Sequence, residues 1–234
     1  LSQVGHVRYA YTEEMAALEH DLLEMGSRTE RMVSDAVQSL VTLDSELAMN
    51  VVRRDDEIDE QDFAIEALCL RLLALQQPIA RDLRVVGTAM KMITDIERVA
   101  DLAVDIAKIG MKIEKEFGEP NVVDIPRMGN IALDMLRKSM KAFVGSDLEL
   151  VGQVCRMDEE VDDLYRTLRG QLFHRMRSDN TQVVACSWLL LAIHHIERIA
   201  DHAVNIAERV HFMVTGEVKN LAASHRNDPP SAAA

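Results

Sequence analysis

A chain of 234 residues with 39 acidic against 26 basic side chains carries a net charge of −13, which argues against bulk attraction to a nucleic-acid backbone or to anionic lipid. Apolar residues make up 48% of it and aromatic ones only 4%, with 13 Met; few Gly and Pro complete the composition of a helical bundle. The three cysteines, Cys69, Cys155 and Cys186, have no CxxC spacing and read as reduced packing residues of a cytosolic protein, and neither an 18-residue apolar run nor a basic and apolar leader is visible.

Thr12 can cap a first helix that runs to about Leu43, and Asp44 or Ser45 opens a second that reaches about Leu75. Gln77-Pro78 places a proline at the first position of a third helix, where its missing N–H costs nothing, and that helix continues to Phe117. Gly118, Pro120, Asn121 and Pro126 make residues 118–126 a linker. Asp124 can cap a fourth helix ending before Gly145, and Ser146-Asp147-Leu148-Glu149 is a capping box for a fifth. Asp179, with Gln182 three residues on, can start a sixth that stops at Thr215-Gly216, a glycine C-terminal signal. Residues 217–234 read as a disordered tail.

The halves repeat one another. Met25-Gly26 returns as Met128-Gly129, Asp44 as Asp147, and the pair Asp55 and Asp59 as Asp158 and Asp162, each 103 residues later. Asp95-Ile-Glu97-Arg98-Val-Ala-Asp101 returns as His195-Ile-Glu197-Arg198-Ile-Ala-Asp201 at a spacing of 100. The duplication predicts an all-α protein of two tandem, sequence-related three-helix bundles, residues 9–117 and 127–216, with six long helices.

The repeated acids stand four residues apart, one turn of helix. With Glu97 set at 0°, Asp101 lies at about 40° and Asp105 at about 80°, while Ile93, Ile96, Ala100, Ala103 and Ala107 centre near −80°. The stripe therefore sits at the edge of a buried face. Asp59 and Glu97 are each about 19 residues from the turn near Pro78, so the pairs on the second and third helices of a copy fall at one height. Facing carboxylates are relieved by protonation, by basic partners or by hard cations such as Mg²⁺, Mn²⁺, Ca²⁺ or iron. Single Asp-x-x-x-Asp pairs are more often solvated helix edges. Two facing pairs in each copy make the cation reading as strong as that one. In the second copy Asn205 stands where Asp105 does, and His194 and Glu208 fall on the stripe in place of Thr94 and Lys108. His194 would admit a softer metal there.

Other chemistry is sparse. Only Glu208-x-x-His211 fits the Glu-x-x-His of a di-iron bundle, which requires two. There is no phosphate loop and no GxSxG. His194-His195 reads as a helix-edge feature, Gln77 to Arg84 as capping and dipole complementarity, and Trp188 as core.

Asp55-x-x-Ile-Asp59, the Gln77 to Val85 segment QPxAxDLRxV, Glu97-Arg98-x-x-Asp101 and Glu197-Arg198-Ile-Ala-Asp201 together resemble the PhoU family over residues 12 to 216. The resemblance implies a non-enzymatic regulator of phosphate uptake and of the phosphate-starvation response. It would act as a negative regulator between the ATPase of a phosphate ABC transporter and a sensor histidine kinase. It also implies metal clusters (Fe, Mn, Mg or Zn) held by Asp55, Asp59, Glu97, Asp101 and Asp105 in one copy and by Asp158, Asp162, Glu197 and Asp201 in the other. Asn205 puts equal loading of the two in question. Cytoplasmic placement follows, peripheral to the inner membrane through partners, with exposed helix faces suited to a homodimer. The competing readings are a metal-dependent enzyme acting on phosphate compounds, for which no base or electrophile is evident, and a helical scaffold without ligand.

Overall fold

In the computed structural model of the chain, residues 2–117 and 124–221 are described, with side chains from Tyr11 onward. Seven α-helices and no strand occur among them: α1 Ser2–Thr42, α2 Ser45–Arg53, α3 Asp55–Gln76, α4 Ala80–Phe117, α5 Ile125–Gly145, α6 Leu148–Ser178 and α7 Val183–Thr215. In the first copy α1 packs on α2, α3 and α4; in the second α5 packs on α6 and α7. Each copy is a three-helix bundle, and in the first the middle helix is in two pieces.

Several helix ends differ from expectation. Helix α1 passes through Thr12, which caps nothing because the chain is already helical from Ser2. The second expected helix breaks at Arg54, whose N–H reaches back only three residues, to the Val51 carbonyl at 3.1 Å. The Arg54 guanidinium explains the fixed position of the break: it bonds Asn50 at 3.0 Å and Asp35 of α1 at 2.7 Å. Its counterpart Met157 has no such anchor, and α6 runs unbroken. Pro78 is not a first helical residue. Gln77 closes α3 in the left-handed region (φ 46°), Ala80 is left-handed too (φ 48°), and α4 opens only there. Asp82 in its first turn accepts a 2.8 Å bond from Tyr11 of α1, and burial, then that bond, pushes the phenol up to about 12.

The box expected at Ser146 is shifted by one residue. Ser146 takes the left-handed position (φ 50°) that ends α5, and Asp147 caps α6 by accepting from the N–H groups of Glu149 and Leu150 at 2.8 and 3.1 Å. The first copy does the same at the matching places: Leu43 is left-handed (φ 54°), and Asp44 accepts from Leu47 at 2.9 Å. Asp124 stands at the start of α5 without a side-chain capping bond. Asp179 caps a 3₁₀ turn, Asn180–Gln182, that leads into α7, and Gly216 (φ 77°) ends α7 as its signal predicts. Of the expected linker, residues 118–123 lie outside the described residues, as does 222–234 of the expected tail.

One hydrophobic core runs through both copies. Its centre is the pair α4 and α7, flanked by α1, α2 and α3 on one side and α5 and α6 on the other. The copies are related by an approximate two-fold relation visible in atomic contacts. A Cβ on Gly26 would lie 2.6 Å from Met140 Cε, and one on Gly129 would lie 2.9 Å from both methyls of Val37. Val37 and Met140 are themselves 103 residues apart, so α1 and α5 cross through reciprocal small-on-large contacts.

A window within 180–215 reaches mean hydropathy 1.4, enough in length and composition to cross a membrane although charged residues interrupt it. The packing accounts for it otherwise: α7 is covered by α4, α5 and α6, and its Leu189, Ile193, Ile196, Ile199, Ile206 and Val210 are buried in the shared core.

Candidate metal centres

Helices α3 and α4 form the first centre. Antiparallel packing brings Asp55 and Asp59 against Glu97 and Asp101, as their equal distance from the turn requires. Burial and then the charges of Asp101 and Asp59 push the Asp55 carboxyl up, with Lys108 acting the other way. Glu97 is pushed up by burial, then by Asp101, and further by Asp59 and Asp62, against Arg98. Arg98 lies along the stripe, 3.0 Å from Asp101 and 3.5 Å from Glu97. Asp62 is a member the sequence reading missed. It lies three residues past Asp59 and seven past Asp55, hence on the same face of α3, and burial and the charges of Glu66 and Asp59 raise it.

Asp105 stands apart. It lines a cavity between α4 and α7, beside His195. A second apolar row of α4, Leu102, Ile106, Ile109 and Ile113, is buried as well, and it lies about 120–180° round from Glu97. The stripe is thus a seam between two buried faces, and its last acid falls on the α7 side.

Helices α6 and α7 form the second centre. Asp158 is only 3% exposed, and Asp162 lies 3.9 Å from Arg166. Glu197 meets His194 Nδ1 at 3.1 Å, and His194 lies against Tyr165, ring centroids 6.2 Å apart. Cys155 sits beside Glu208 and Asp158; burial, then those two charges, push its thiol up to about 11. Glu208 also accepts a 2.7 Å bond from the Leu221 N–H. Asn205 is not in this group. It donates to Asp95 of α4 at 3.3 Å, next to a 2.9 Å contact between Asp95 and His202. Position by position, Glu208 replaces Lys108 and Tyr165 replaces Asp62. In sequence the second copy keeps the same four acids, Asp158, Asp162, Glu197 and Asp201, and differs from the first at these edge positions.

Oxygen donors, partial burial and mutual repulsion suit these groups to a hard divalent cation, with His194 at the rim of the second. Among the described residues, no three His, Cys, Asp or Glu side chains converge closely enough to hold one ion in this conformation. The three cysteines are unbridged, Cys69 and Cys186 buried. The Cys69 thiol is pushed up to about 12, chiefly by burial, as befits a packing residue.

The sequence profile of the PhoU domain matches residues 22–110 and again 125–210. The chain belongs to the PhoU family. Its relatives include the Clostridium acetobutylicum protein named phosphate-specific transport system accessory protein PhoU homolog, 34% identical over 92% of this chain and 98% of that one. The Pseudomonas aeruginosa protein of the same name is 33% identical over 92% and 89%. Among solved structures, PhoU from Pseudomonas aeruginosa superposes with a TM-score of 0.85 at 33% identity, covering 88% of this chain and all of that one. The phosphate transport system regulatory protein PhoU from Streptococcus pneumoniae gives 0.83 at 30% identity, over 90% and 99%. The two PhoU matches fall on the two three-helix copies, each of which contains one acidic seam.

Proposed function

We propose that this PhoU family member is a non-enzymatic accessory of phosphate transport, a metal-loaded adaptor that restrains the phosphate-starvation response. Family membership supports the transport role, since the relatives are named accessory and regulatory proteins of phosphate-specific transport. The finer reading places it between the transporter ATPase and a sensor histidine kinase, in the cytoplasm and at the membrane through those partners, as a homodimer. Exposed apolar side chains on the outside of the first copy, Phe63, Leu70, Leu75 and Ile79, are available for such docking.

The observation that carries the metal reading is the first acidic seam, in which neighbouring carboxylates push Asp55 and Glu97 up, and whose four acids recur in the second copy. Asp55, Asp59, Glu97 and Asp101 would hold cations in the first, and Asp158, Asp162, Glu197 and Asp201 in the second, with Asp62 and Glu208 adjoining. A bound divalent or iron cation (Fe, Mn, Mg or Zn) would supply charge compensation and cross-link the two helices of each seam. Arg98, half-exposed and, among the described residues, ion-paired along α4 with Glu97 and Asp101, can swing away to admit it.

Elemental analysis of protein purified without chelator tests this. We expect stoichiometric metal, reduced by half or more in Asp101→Asn with Asp201→Asn while helicity by circular dichroism is unchanged. Metal-free protein whose melting is insensitive to each added ion overturns the metal reading. Capture of the ATPase or kinase in a pull-down bears separately on the adaptor reading, and metal-dependent phosphatase turnover lost in the double variant would replace it with an enzyme.

A further inference from the structure

The duplication places two equivalent clefts between α4 and α7, one near each end of the pair, and only one is closed. At the start of α4, Arg84 Nε donates to the Met213 carbonyl at 3.0 Å and Thr88 Oγ1 to the Arg209 carbonyl at 3.4 Å. Asp95 completes that seal by meeting His202 at 2.9 Å. One hundred residues on, those three positions are Val184, Trp188 and His195, and the residue facing His195 in place of His202 is Leu102. Val184 has no side-chain donor, and Leu102 offers His195 no polar partner. The result is a cavity of about 600 Å³, within the range of small-molecule sites.

Its chemistry is specific. Lys108, Lys112 and Lys115 line one wall, although the chain as a whole is strongly acidic, with Asp105 and Glu116 as the acidic lining groups. From Lys108 to Lys115 the helix rises about 10 Å, a length that suits a chain of phosphates better than a single one. Lys108 also faces Asp55, so Lys112 and Lys115 carry most of the free positive charge. Apolar lining comes from Ile109 and Met111 of the same helix and, from α7, Leu191 and the Trp188 indole, over which Lys112 Nζ lies 4.5 Å from the ring centroid. Beside it, His195 Nδ1 is buried and has no hydrogen-bond partner among the described residues.

We propose that this cavity binds a nucleoside polyphosphate, the base against Trp188 and the phosphates along Lys112 and Lys115. The indole stacks on the base once Lys112 turns from it toward the phosphates, and the lysines supply point charges for the phosphates. The cavity borders the first acidic seam at Lys108 and Asp105, but the groups proposed to hold the ligand, Lys112, Lys115 and Trp188, are not among the seam's carboxylates.

Trp188 is the only tryptophan in the chain, so it reports its own site. Metal-free full-length protein, in chelator, is titrated with ADP by tryptophan fluorescence and by calorimetry. We expect saturable quenching and a calorimetric Kd that agree, with adenosine and pyrophosphate each at least tenfold weaker. Lys112→Gln with Lys115→Gln should raise the Kd at least tenfold with helicity unchanged. Val184→Arg, which supplies the guanidinium that seals the other cleft, should weaken ADP by a similar factor. No saturable signal at millimolar ADP, or pyrophosphate binding as tightly as ADP, overturns the proposal; so does a Kd unmoved by both variants.

Discussion

Glu97 shows how a residue fitted to hold a cation weakens the fold when none is bound. Its carboxyl is raised by burial and by Asp101, Asp59 and Asp62, so the folded state holds its proton more tightly than the unfolded chain does. Its stabilising effect is complete below the unfolded carboxylate pKa and is lost as pH rises through the raised folded one. Asp55 behaves alike. Glu97→Gln should therefore melt several degrees higher than the parent at pH 7 without metal. Its melting temperature should also fall less between about pH 4 and 6. The exposed contact to Arg98 at 3.5 Å is too weak to reverse this, since such pairs contribute about 1 kcal/mol at most. With saturating Mn²⁺ the order should invert, because only the parent gains a ligand. Scanning calorimetry across pH decides it, and a variant less stable than the metal-free parent at pH 7 would contradict it.

At the scale of the helices, the reciprocal glycines of α1 and α5 separate two costs that sequence alone makes equal. Alanine in a helix interior gains about 1 kcal/mol over glycine. At Gly26 the atom in the way is the end of the flexible Met140 side chain, whereas at Gly129 it is both methyls of branched Val37. Methionine can move its terminus; valine has to shift its backbone. Gly26→Ala should be neutral or slightly stabilising, and Gly129→Ala should cost about 1–2 kcal/mol net. Denaturant midpoints of the two variants measure the difference, and equal midpoints would refute the distinction.

The same scale shows what was legible in the chain. The repeat set the number of bundles, the cap at Asp44 and the facing of Asp55 and Asp59 to Glu97 and Asp101, because these rest on local chemistry and on helix length; the cap at Asp147 was read one residue early, at Ser146. The break at Arg54 was not legible, since no glycine or proline marks it and its anchor Asp35 lies on another helix. The placement of Asp105 on the α7 side and the half-buried position of Trp188 in the cavity were hidden for a different reason. A helical wheel scored for one apolar face sees a surface edge, whereas α4 and α7 are buried on two sides. The second face is written in steps of seven, as Thr88, Asp95, Leu102 and Ile109, half of it polar. Those polar members meet α7 partners that only the assembled pair supplies.

At the scale of the molecule, that second face makes the two copies one folding unit. Leu102, Ile106, Ile109 and Ile113 of α4 are all 5% exposed or less. Burying four such side chains contributes roughly 6–12 kcal/mol, comparable to the whole stability of a typical domain. A first copy alone, residues 1–117, would present this row to water beside Val99, with Arg84, Thr88 and Asp95 deprived of their partners on α7. The row has an approximate two-fold relation to its counterpart on α7, so a second half-chain is the surface that fits it best. The isolated half should therefore form a symmetric dimer resembling the intact chain, with Arg84 and Thr88 bonded across it twice. Light scattering should give twice the half-chain mass, and Leu102→Glu should shift it toward unfolded monomer by burying an unpaired charge. The intact chain should melt in one transition, with calorimetric and van't Hoff enthalpies equal. A folded, monomeric half-chain, or two separate transitions in the intact protein, would show that α4 and α7 join finished domains instead of completing one another.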